Sequence, residues 1–300
     1  MVQKKLIPNK DSSIIHAIKK NGIDKHTISL FKKRIWEYYN NSGRKFPFRE
    51  PEHYNDPYKI IVSEIMLQQT QAQRVAPKYL AFLEKFPDFK SLDEATNEEV
   101  LEAWIGLGYN RRALALKKIA NIVLNKLDEE VPRDIEQLQE FPQVGPNTAA
   151  SISTFAFNLP NIFIETNIRT VFIYFFFHDV EDVTDEQILE LVDLTLDEQN
   201  PREWYYALMD YGVKLKKQYK NKYSRRSKKY KKQSKFKGSD RELRGKLLKY
   251  ILKLEAPIDF GIIASDLKED VTRVEKIAKQ MEKEGFITIS SDKQIFIQKD

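Results

Sequence analysis

The 300-residue chain is 41% hydrophobic and 12% aromatic, which is enough apolar material for two domains with buried cores. It contains no cysteine, and this excludes disulfides, thiolate zinc sites, cysteine nucleophiles and cysteine-held iron–sulfur clusters. No apolar run approaches the roughly 18 residues that a bilayer span needs, and no apolar signal segment begins the chain. We therefore expect a cytoplasmic protein that does not enter a membrane.

The first two thirds of the chain are predicted to be helical. Residues 1–26 are assigned to an N-terminal tail, and from Thr27 onward apolar residues recur at steps of three and four, which is typical of a helix. A loop rich in turn residues follows at 40–55. Asp56 and Pro57 then begin the next helix as N-cap and first-turn proline.

Further amphipathic segments predict helices at 73–85, 97–104, 112–127, 134–141, 148–157, 167–177, 185–198 and 202–215. Their connections are short and strand signals are absent. Residues 27–215 are therefore predicted to form one mainly α-helical domain.

A strongly basic tract follows this helical domain. Residues 214–237 contain 13 Lys or Arg and no acidic residue, so the rest of the chain is net negative. One interpretation is a solvated, flexible linker at 216–239, because blocks of like charge are usually disordered. The other is a connector that contacts nucleic acid, which the density of positive charge favours. The two interpretations are compatible.

The last segment, 240–300, has a different pattern. Three short helices are predicted at 241–254, 259–267 and from Asp270 to Gly285, followed by two alternating strands at 286–289 and 294–297. Three helices and a β-hairpin in this order are typical of a small α+β winged helix-turn-helix domain. The alternative is a dimerisation or packing module, since winged helices also bind protein.

Two carboxyl groups interrupt apolar runs. Glu64 lies within the predicted helix at 60–67, where a carboxylate is costly unless it is protonated or paired. Such a carboxyl group is suited to general acid catalysis, whereas the alternative is a buried Glu paired with an Arg. Glu165 precedes the aromatic helix at 167–177, and the alternative there is a simple capping carboxylate. Two such groups without metal ligands suggest acid-assisted hydrolysis through an oxocarbenium-like transition state.

A tight turn at 141–148 lies between two helices and contains Pro142, Gly145 and Pro146. A turn that directs backbone N–H groups from a helix N-terminus can bind phosphate without reading sequence. Many helical hairpins contain Pro and Gly, so this pattern is only moderately specific.

Together these segments resemble the helix-hairpin-helix DNA glycosylase superfamily, which includes endonuclease III, and most closely its A/G-specific adenine DNA glycosylase branch. The similarity covers roughly residues 28–215. It rests on motifs in the family's order at 46–49, 56–58, 63–70, 104–109, 144–149 and 207–212.

The resemblance implies a role for each matching residue. Glu64 matches the catalytic glutamate that protonates the departing base, Glu165 stands where an aspartate stabilises the sugar cation, and Gln69 matches a glutamine that wedges into the base stack. The residues that would line the base pocket are Phe48, Arg49, Leu67, Asn147 and Asp210. The further residues expected to contact DNA are Thr70, Tyr109, Asn110, Val144, Gly145, Thr148, Arg225, Arg226, Lys228 and Lys229.

Several positions depart from the family pattern. Asn147 occupies the position of the lysine nucleophile in bifunctional relatives, which implies a monofunctional hydrolase. Glu165 is one methylene longer than the usual aspartate, Gln143 replaces the first hairpin glycine, and Asn110 replaces a tyrosine that wedges beside the opposing base. The cluster cysteines after Gly212 and the domain that senses 8-oxoguanine are absent.

The resemblance implies a monofunctional glycosylase of base excision repair that releases adenine opposite 8-oxoguanine or guanine. The implied partner is double-stranded DNA with a mismatch or damaged base, bound by a nucleoid-associated monomer. No iron–sulfur cluster or other cofactor is implied, although a monovalent cation at the hairpin is allowed. The alternatives are release of thymine or uracil from mismatches with guanine, release of another damaged purine, and a non-catalytic DNA-binding protein on this fold.

Overall fold

The computed structural model describes residues 10–254 and 256–297. The chain forms two compact units. Unit 1 contains the described residues of 1–55 together with 133–136 and 145–232, and unit 2 contains those of 56–132, 137–144 and 233–300. The predicted helical domain at 27–215 is therefore divided between both units.

In the described part of the chain, helices and strands occur in the order α1 Lys10–Asn21, α2 Lys25–Ser42, α3 Pro51–Tyr54, α4 Pro57–Leu67, α5 Ala72–Lys85, α6 Phe89–Glu94, α7 Asn97–Trp104, α8 Arg111–Lys126, α9 Ile135–Gln139, α10 Pro146–Phe157, α11 Thr166–Phe176, α12 Asp185–Thr195, α13 Pro201–Gln218, α14 Asp240–Ile251, β1 Ile258–Asp259, α15 Phe260–Leu267, α16 Val271–Lys283, β2 Ile287–Ile289 and β3 Gln294–Ile297. The prediction of a mainly helical chain with a small α+β segment at its end is confirmed.

The core of unit 1 is aromatic. Helices α2, α11 and α13 pack together, and the Phe31 ring lies 5.2 Å from Phe175 and 6.1 Å from Trp204 between ring centroids. All three side chains are almost fully buried. Edge-to-face aromatic packing of this kind joins α2 to the last turn of α11 and to the first turn of α13.

Part of the predicted N-terminal tail is a helix. Ile14, Ile15 and Ile18 of α1 are buried, and α1 packs against α2 and α11. Asp11, itself buried, accepts hydrogen bonds from Arg34 Nε at 2.6 Å and Tyr211 Oη at 2.7 Å. The tail prediction is wrong for residues 10–21, because their apolar spacing was not recognised; residues 1–9 lie outside the described part.

Unit 2 contains helices α4 to α8 around an apolar core. The Phe82 and Trp104 rings lie 6.0 Å apart, and Ile61, Ile65 and Ile119 are fully buried. Helix α4 begins as predicted, since the Asp56 side chain accepts a hydrogen bond from Tyr58 N at 3.0 Å and Pro57 takes the first helical position. The short helix α6 was not predicted, because it has too few residues to establish a helical period.

The C-terminal segment of unit 2 consists of α14, α15, α16 and a three-stranded antiparallel sheet in the order β1-β3-β2. The predicted hairpin corresponds to β2 and β3, which pair Ile289 with Ile295. Asp270 caps α16 by accepting a hydrogen bond from Arg273 N at 2.9 Å, and Gly285 follows the helix at a φ of +78°. Strand β1 was not predicted, because two residues are too few to show alternation.

The first half of the basic tract is folded onto unit 1. Tyr223 is buried, and its ring lies 4.9 Å from the ring of Tyr174. Val183 N donates to Arg226 O at 2.9 Å, and Lys228 N donates to Val183 O at 3.0 Å. A flexible linker therefore does not describe residues 219–228, since aromatic packing and backbone hydrogen bonds fix them to α11 and its neighbours.

Candidate active site

Glu64 lies on a helix that is otherwise mostly buried. Its neighbours Ile61, Ile65 and Met66 are fully buried, whereas Glu64 itself is half-buried. Leu67, the last residue of α4, is also half-buried. The structure thus places Glu64 on a helix with part of the residue accessible, which is compatible with proton exchange with a ligand.

Two loops of unit 2 carry exposed side chains on strained backbone. Gln69 has a φ of +53° and Tyr109 a φ of +48°, and both side chains are exposed. Residues other than glycine occupy this region at a cost and are often found at ligand sites. Asn110, which follows Tyr109, is half-buried at the start of α8.

Arg112 connects these two loops through hydrogen bonds. The sequence alone did not identify this residue. Its buried guanidinium donates to the carbonyls of Met66 at 2.9 Å and Gln68 at 2.6 Å, to Thr70 Oγ1 at 3.1 Å, and to Gly108 O at 2.9 Å. Burial lowers the pKa of Arg112 to about 10. An arginine in a helical pattern gives no sequence signal for this role, because all but one of these partners are backbone carbonyls.

The turn between α9 and α10 contains Gln143, which stands where the family has its first hairpin glycine. Gln143 has a φ of +64°, a conformation that glycine adopts without strain. Its carbonyl accepts a hydrogen bond from Gln68 Nε2 at 3.0 Å. Gly145 is the N-cap residue of α10, and Pro146 is the first residue of that helix. Val144 is buried, so its part in any phosphate contact is limited to its backbone.

Glu165 caps helix α11. Its Oε1 accepts hydrogen bonds from Asn167 N at 2.9 Å and Ile168 N at 3.2 Å, and its Oε2 accepts from Asn167 Nδ2 at 3.2 Å. The capping alternative is therefore observed. Capping does not exclude a catalytic role, since the same donors also fix the position of the carboxylate.

Asn147, on α10, is exposed, and its Oδ1 accepts a hydrogen bond from Ile164 N at 3.4 Å, beside Glu165. Thr148 is half-buried, and its carbonyl accepts from Ser151 Oγ at 3.0 Å. Asn147 thus lies within unit 1 next to the segment that carries Glu165.

Lys216 of α13 also contacts the segment that carries Glu165, through Asn167. Lys216 Nζ donates to Asn167 Oδ1 at 2.7 Å, and burial lowers the pKa of Lys216 while Glu165 raises it. Gly212 lets α13 approach, because a Cβ at this position would lie 2.3 Å from Asn167 O. The sequence alone identified Lys216 only as one of the positive charges of the basic tract.

The predicted base-pocket residues Asp210 and Arg49 are part of a buried ion-pair cluster. Asp210 Oδ2 accepts from Arg44 N at 2.6 Å, and its Oδ1 accepts from Arg44 Nε at 2.7 Å and Arg49 Nη1 at 3.0 Å. Asp210 is 1% exposed, so it does not line an open pocket and its predicted contact with a base is corrected. Phe48 is likewise buried, with its ring 5.1 Å from that of Phe46.

The basic residues proposed to contact DNA differ in exposure. Arg225, Lys228 and Lys229 are exposed, although Lys229 Nζ lies 3.6 Å from Asp185. Arg226 instead donates to His178 O and pairs with Glu181 at 2.8 Å, with its side chain only 15% exposed. The prediction that Arg226 contacts DNA is therefore corrected, because this guanidinium is used to hold the tract on unit 1.

Among residues 10–254 and 256–297, no three His, Asp or Glu side chains come together as a set of metal ligands. None of the described helices combines the length and the apolar character needed to cross a membrane.

Residues 62–194 match the model of the HhH-GPD superfamily base excision DNA repair protein. The chain contains an HhH-GPD domain. This domain includes Glu64, the loops at Gln69 and Tyr109, the turn at Gln143 and Glu165. The candidate residues Phe48, Asp210 and Lys216 lie outside the matched range.

Curated relatives of the chain are named adenine DNA glycosylase. The chain is 31% identical to that of Buchnera aphidicola over 189 residues, which cover 62% of this chain and 53% of the relative. It is 38% identical to that of Mycobacterium tuberculosis over 134 residues, which cover 45% of this chain and 43% of the relative. The chain thus matches about half of the length of these relatives.

Solved structures share the fold. A thermostable thymine-DNA glycosylase is 26% identical with a TM-score of 0.57, over 66% of this chain and 88% of that one. An endonuclease III in a trapped covalent complex with DNA is 19% identical with a TM-score of 0.52, over 63% and 86% of the two chains. The HhH-GPD fold is therefore shown by sequence and by structure.

Proposed function

We propose that the protein is a monofunctional DNA glycosylase that releases adenine opposite guanine or 8-oxoguanine. The observation that carries the proposal is the contrast between two carboxyl groups of the HhH-GPD domain. Glu64 is half-buried on α4, and Glu165 accepts three hydrogen bonds at the N-terminus of α11. We assign the role of the acid to Glu64 and the role of the anion to Glu165, whose position is fixed by these donors. The names of the curated relatives support adenine as the base.

In the proposed reaction Glu64 donates its proton to a ring nitrogen of the flipped base. The N-glycosidic bond breaks, and its electron pair leaves with the base. The Glu165 carboxylate stabilises the positive charge that develops on the sugar. A water molecule then adds to the anomeric carbon and returns a proton to Glu64, which leaves a neutral base and an abasic site.

The absence of a lysine at Asn147 supports a monofunctional reaction, since a Schiff base needs an amine. Borohydride present during turnover is expected to trap no covalent protein–DNA adduct. An adduct would overturn this part of the proposal, and Lys216 would be the first amine to replace, because burial lowers its pKa.

A second candidate is release of thymine from mismatches with guanine. It is favoured by the likeness to the thermostable thymine-DNA glycosylase, which covers 88% of that chain. The two candidates share the same acid and anion and differ only in the base that is accepted.

The test is a panel of duplexes with adenine opposite guanine, adenine opposite 8-oxoguanine, thymine opposite guanine and uracil opposite guanine. Each is incubated with excess protein and then cleaved with alkali at abasic sites. We expect strand cleavage at adenine. Cleavage at thymine or uracil alone would favour the second candidate, and binding without cleavage of any duplex would show a non-catalytic DNA-binding protein.

A further inference from the structure

Lys216 is connected to Glu165 through a single side chain. Lys216 Nζ donates to Asn167 Oδ1 at 2.7 Å, and Asn167 Nδ2 donates to Glu165 Oε2 at 3.2 Å. Because an amide has one accepting and one donating end, the bond from Lys216 fixes which end of Asn167 faces Glu165. An uncharged amine at Lys216 would still donate a hydrogen bond to Asn167 Oδ1. It would polarise the Asn167 amide less than an ammonium group does.

The connection is held by rigid elements. Asn167 lies in the first turn of α11 and Lys216 in the last turn of α13. The absence of a side chain at Gly212 allows the two helices to meet at Asn167. Lys216 therefore reaches Asn167 from a fixed position, unlike the exposed lysines that follow it in the tract.

We propose that the Lys216 ammonium group positions Glu165 and maintains its negative field through Asn167. Lys216 is a positioning residue and does not touch the substrate. This inference rests on the proposed function, because it assigns Glu165 to the sugar cation. It also gives Lys216 a task distinct from the phosphate contacts expected of the basic tract.

The charged groups that face Lys216 are Glu165, at the start of α11, and Arg169, one turn later. Glu165 favours the ammonium form, whereas burial and Arg169 oppose it. Arg169 is itself paired with Asp185 of α12 at 2.6 Å. Removal of the Glu165 charge is therefore expected to change the titration of Lys216.

The first test does not depend on enzymatic activity. The titration of Lys216 is followed by NMR of its ε-carbon in the full chain and in Glu165→Gln. We expect Lys216 to lose its proton at a lower pH in Glu165→Gln than in the unmodified protein, because an opposing charge is lost. An unchanged titration would overturn the coupling, whether or not the protein releases a base.

The second test measures single-turnover base release by Lys216→Met, Lys216→Arg and the control Lys33→Met. We expect Lys216→Met to be at least tenfold slower with unchanged affinity for duplex DNA, and Lys216→Arg to recover most of the rate. Lys33 is exposed on α2 and lies outside the basic tract, so its replacement leaves the rate within about twofold. Full activity of Lys216→Met, with an unchanged melting temperature, would overturn the positioning role.

A second inference concerns a cleft within unit 2. The cleft has a volume of about 1020 Å³ and is bordered by the loops at Gln69 and Tyr109, by residues 233–236 and by α14. Gln233 Nε2 donates to Tyr109 Oη at 3.0 Å, and Arg111 lies 3.6 Å from Glu284. The C-terminal segment thus forms one wall of this cleft, and the loops at Gln69 and Tyr109 form another.

The lining of this cleft is suited to nucleotides. Six cationic side chains border it against two acidic ones, and they include Arg74, Arg111 and Lys249. Two exposed aromatic rings also line it, Tyr109 and Phe236, which are 39% and 61% exposed. Cationic side chains that track a backbone and rings on which bases stack are the recurring parts of sites for unpaired strands.

We propose that this cleft binds the DNA strand opposite the excised base and that Phe236 stacks on its unpaired nucleotide. The assignment of the strand rests on the proposed function. In this account the C-terminal segment contributes to recognition of the opposing base through residues 233–249, and not only to general affinity.

The test uses a duplex from which no base can be released, with an abasic analogue opposite 2-aminopurine. We expect Phe236→Ala to bind this duplex about tenfold more weakly and to reduce the quenching of 2-aminopurine, since base stacking on a ring has about this effect. Lys249→Ala should weaken the same complex.

The control is Tyr230→Ala, which removes an exposed ring of the basic tract that does not line the cleft. It should bind within about twofold of the unmodified protein. If Phe236→Ala bound and quenched like the control, the cleft proposal would fail. If instead no duplex of the earlier panel lost a base, the proposed function would fail while the binding result still decided the cleft.

Discussion

The start of α11 and the middle of α4 show two ways of holding a carboxyl group in one HhH-GPD domain. At the start of α11, Glu165 accepts hydrogen bonds from two backbone amides and one side-chain amide. In the middle of α4, Glu64 is half-buried between side chains that are fully buried. Three donors thus fix Glu165 in place, whereas Glu64 lies within a helix and keeps part of its surface accessible.

In the proposed reaction these two glutamates take different roles, Glu64 as the acid and Glu165 as the anion. Because both are the same residue type, the proposed roles depend on where each side chain is held. Replacements that change only charge, or only length, therefore separate the two roles.

The largest effect is expected for Glu64→Gln. A neutral amide keeps the size of the side chain but cannot deliver a proton, so base release should fall by roughly 10²–10⁴-fold. Affinity for duplex DNA should remain nearly unchanged, as measured by fluorescence anisotropy. The matched control is Glu98→Gln on α7, an exposed glutamate of the same unit. Full activity of Glu64→Gln would remove this residue from the mechanism.

The next effect concerns the length of Glu165. Aspartate also caps helices, so Glu165→Asp should leave the melting temperature nearly unchanged. It should nevertheless slow base release by about tenfold, because the carboxylate is withdrawn from the position set by Asn167. Glu165→Gln should be slower still, by roughly 10²-fold, because the charge is lost. Equal rates for all three proteins in single-turnover assays would leave Glu165 as a cap only.

A smaller effect is expected for the exposed part of the basic tract. Replacement of Arg225, Lys228 and Lys229 by alanine should weaken binding to all duplexes alike and reduce the salt slope by about 0.9 for each lost phosphate contact. Arg226 is left in place because it pairs with Glu181. Alanine at Lys20, Lys25 and Lys33, which are exposed on α1 and α2, gives the control of equal charge. If only mismatched duplexes were weakened, the tract would read the lesion.

The smallest effect is expected for Gln143→Gly, measured by thermal or chemical unfolding. Glycine tolerates the φ of +64° without strain and keeps the carbonyl that accepts from Gln68, so the protein should gain roughly 0.5–1 kcal/mol of stability. The control Gln139→Gly, in the last turn of α9, should lose about 1 kcal/mol at most. A loss of stability in Gln143→Gly would show that the side chain contributes more than the strain removes.

The sequence predicted features that depend on local pattern. The caps of Asp56 and Asp270, the bounds of α7 and the position of β3 follow from residue type and spacing, and the structure agrees. The turn at Gln143 was recognised from its Pro and Gly residues, although the left-handed backbone of Gln143 itself was not.

Features that depend on tertiary contacts could not be predicted in the same way. Arg112 and Lys216 look like ordinary charges of amphipathic helices, and only packing brings them to loop carbonyls or to Asn167. The burial of Asp210 depends on Arg44 and Arg49, which are more than 150 residues away in the chain. Charge pattern also gave no sign that Arg226 pairs with Glu181 and not with a phosphate.

The most direct test of the central claim is mass spectrometry of a single-turnover reaction on one duplex with adenine opposite 8-oxoguanine. We expect free adenine and a full-length strand that has lost the mass of adenine and gained that of water. Glu64→Gln should leave the same strand intact in a parallel reaction. A strand of unchanged mass with the unmodified protein, or one cut at the site without alkali, would contradict a monofunctional glycosylase.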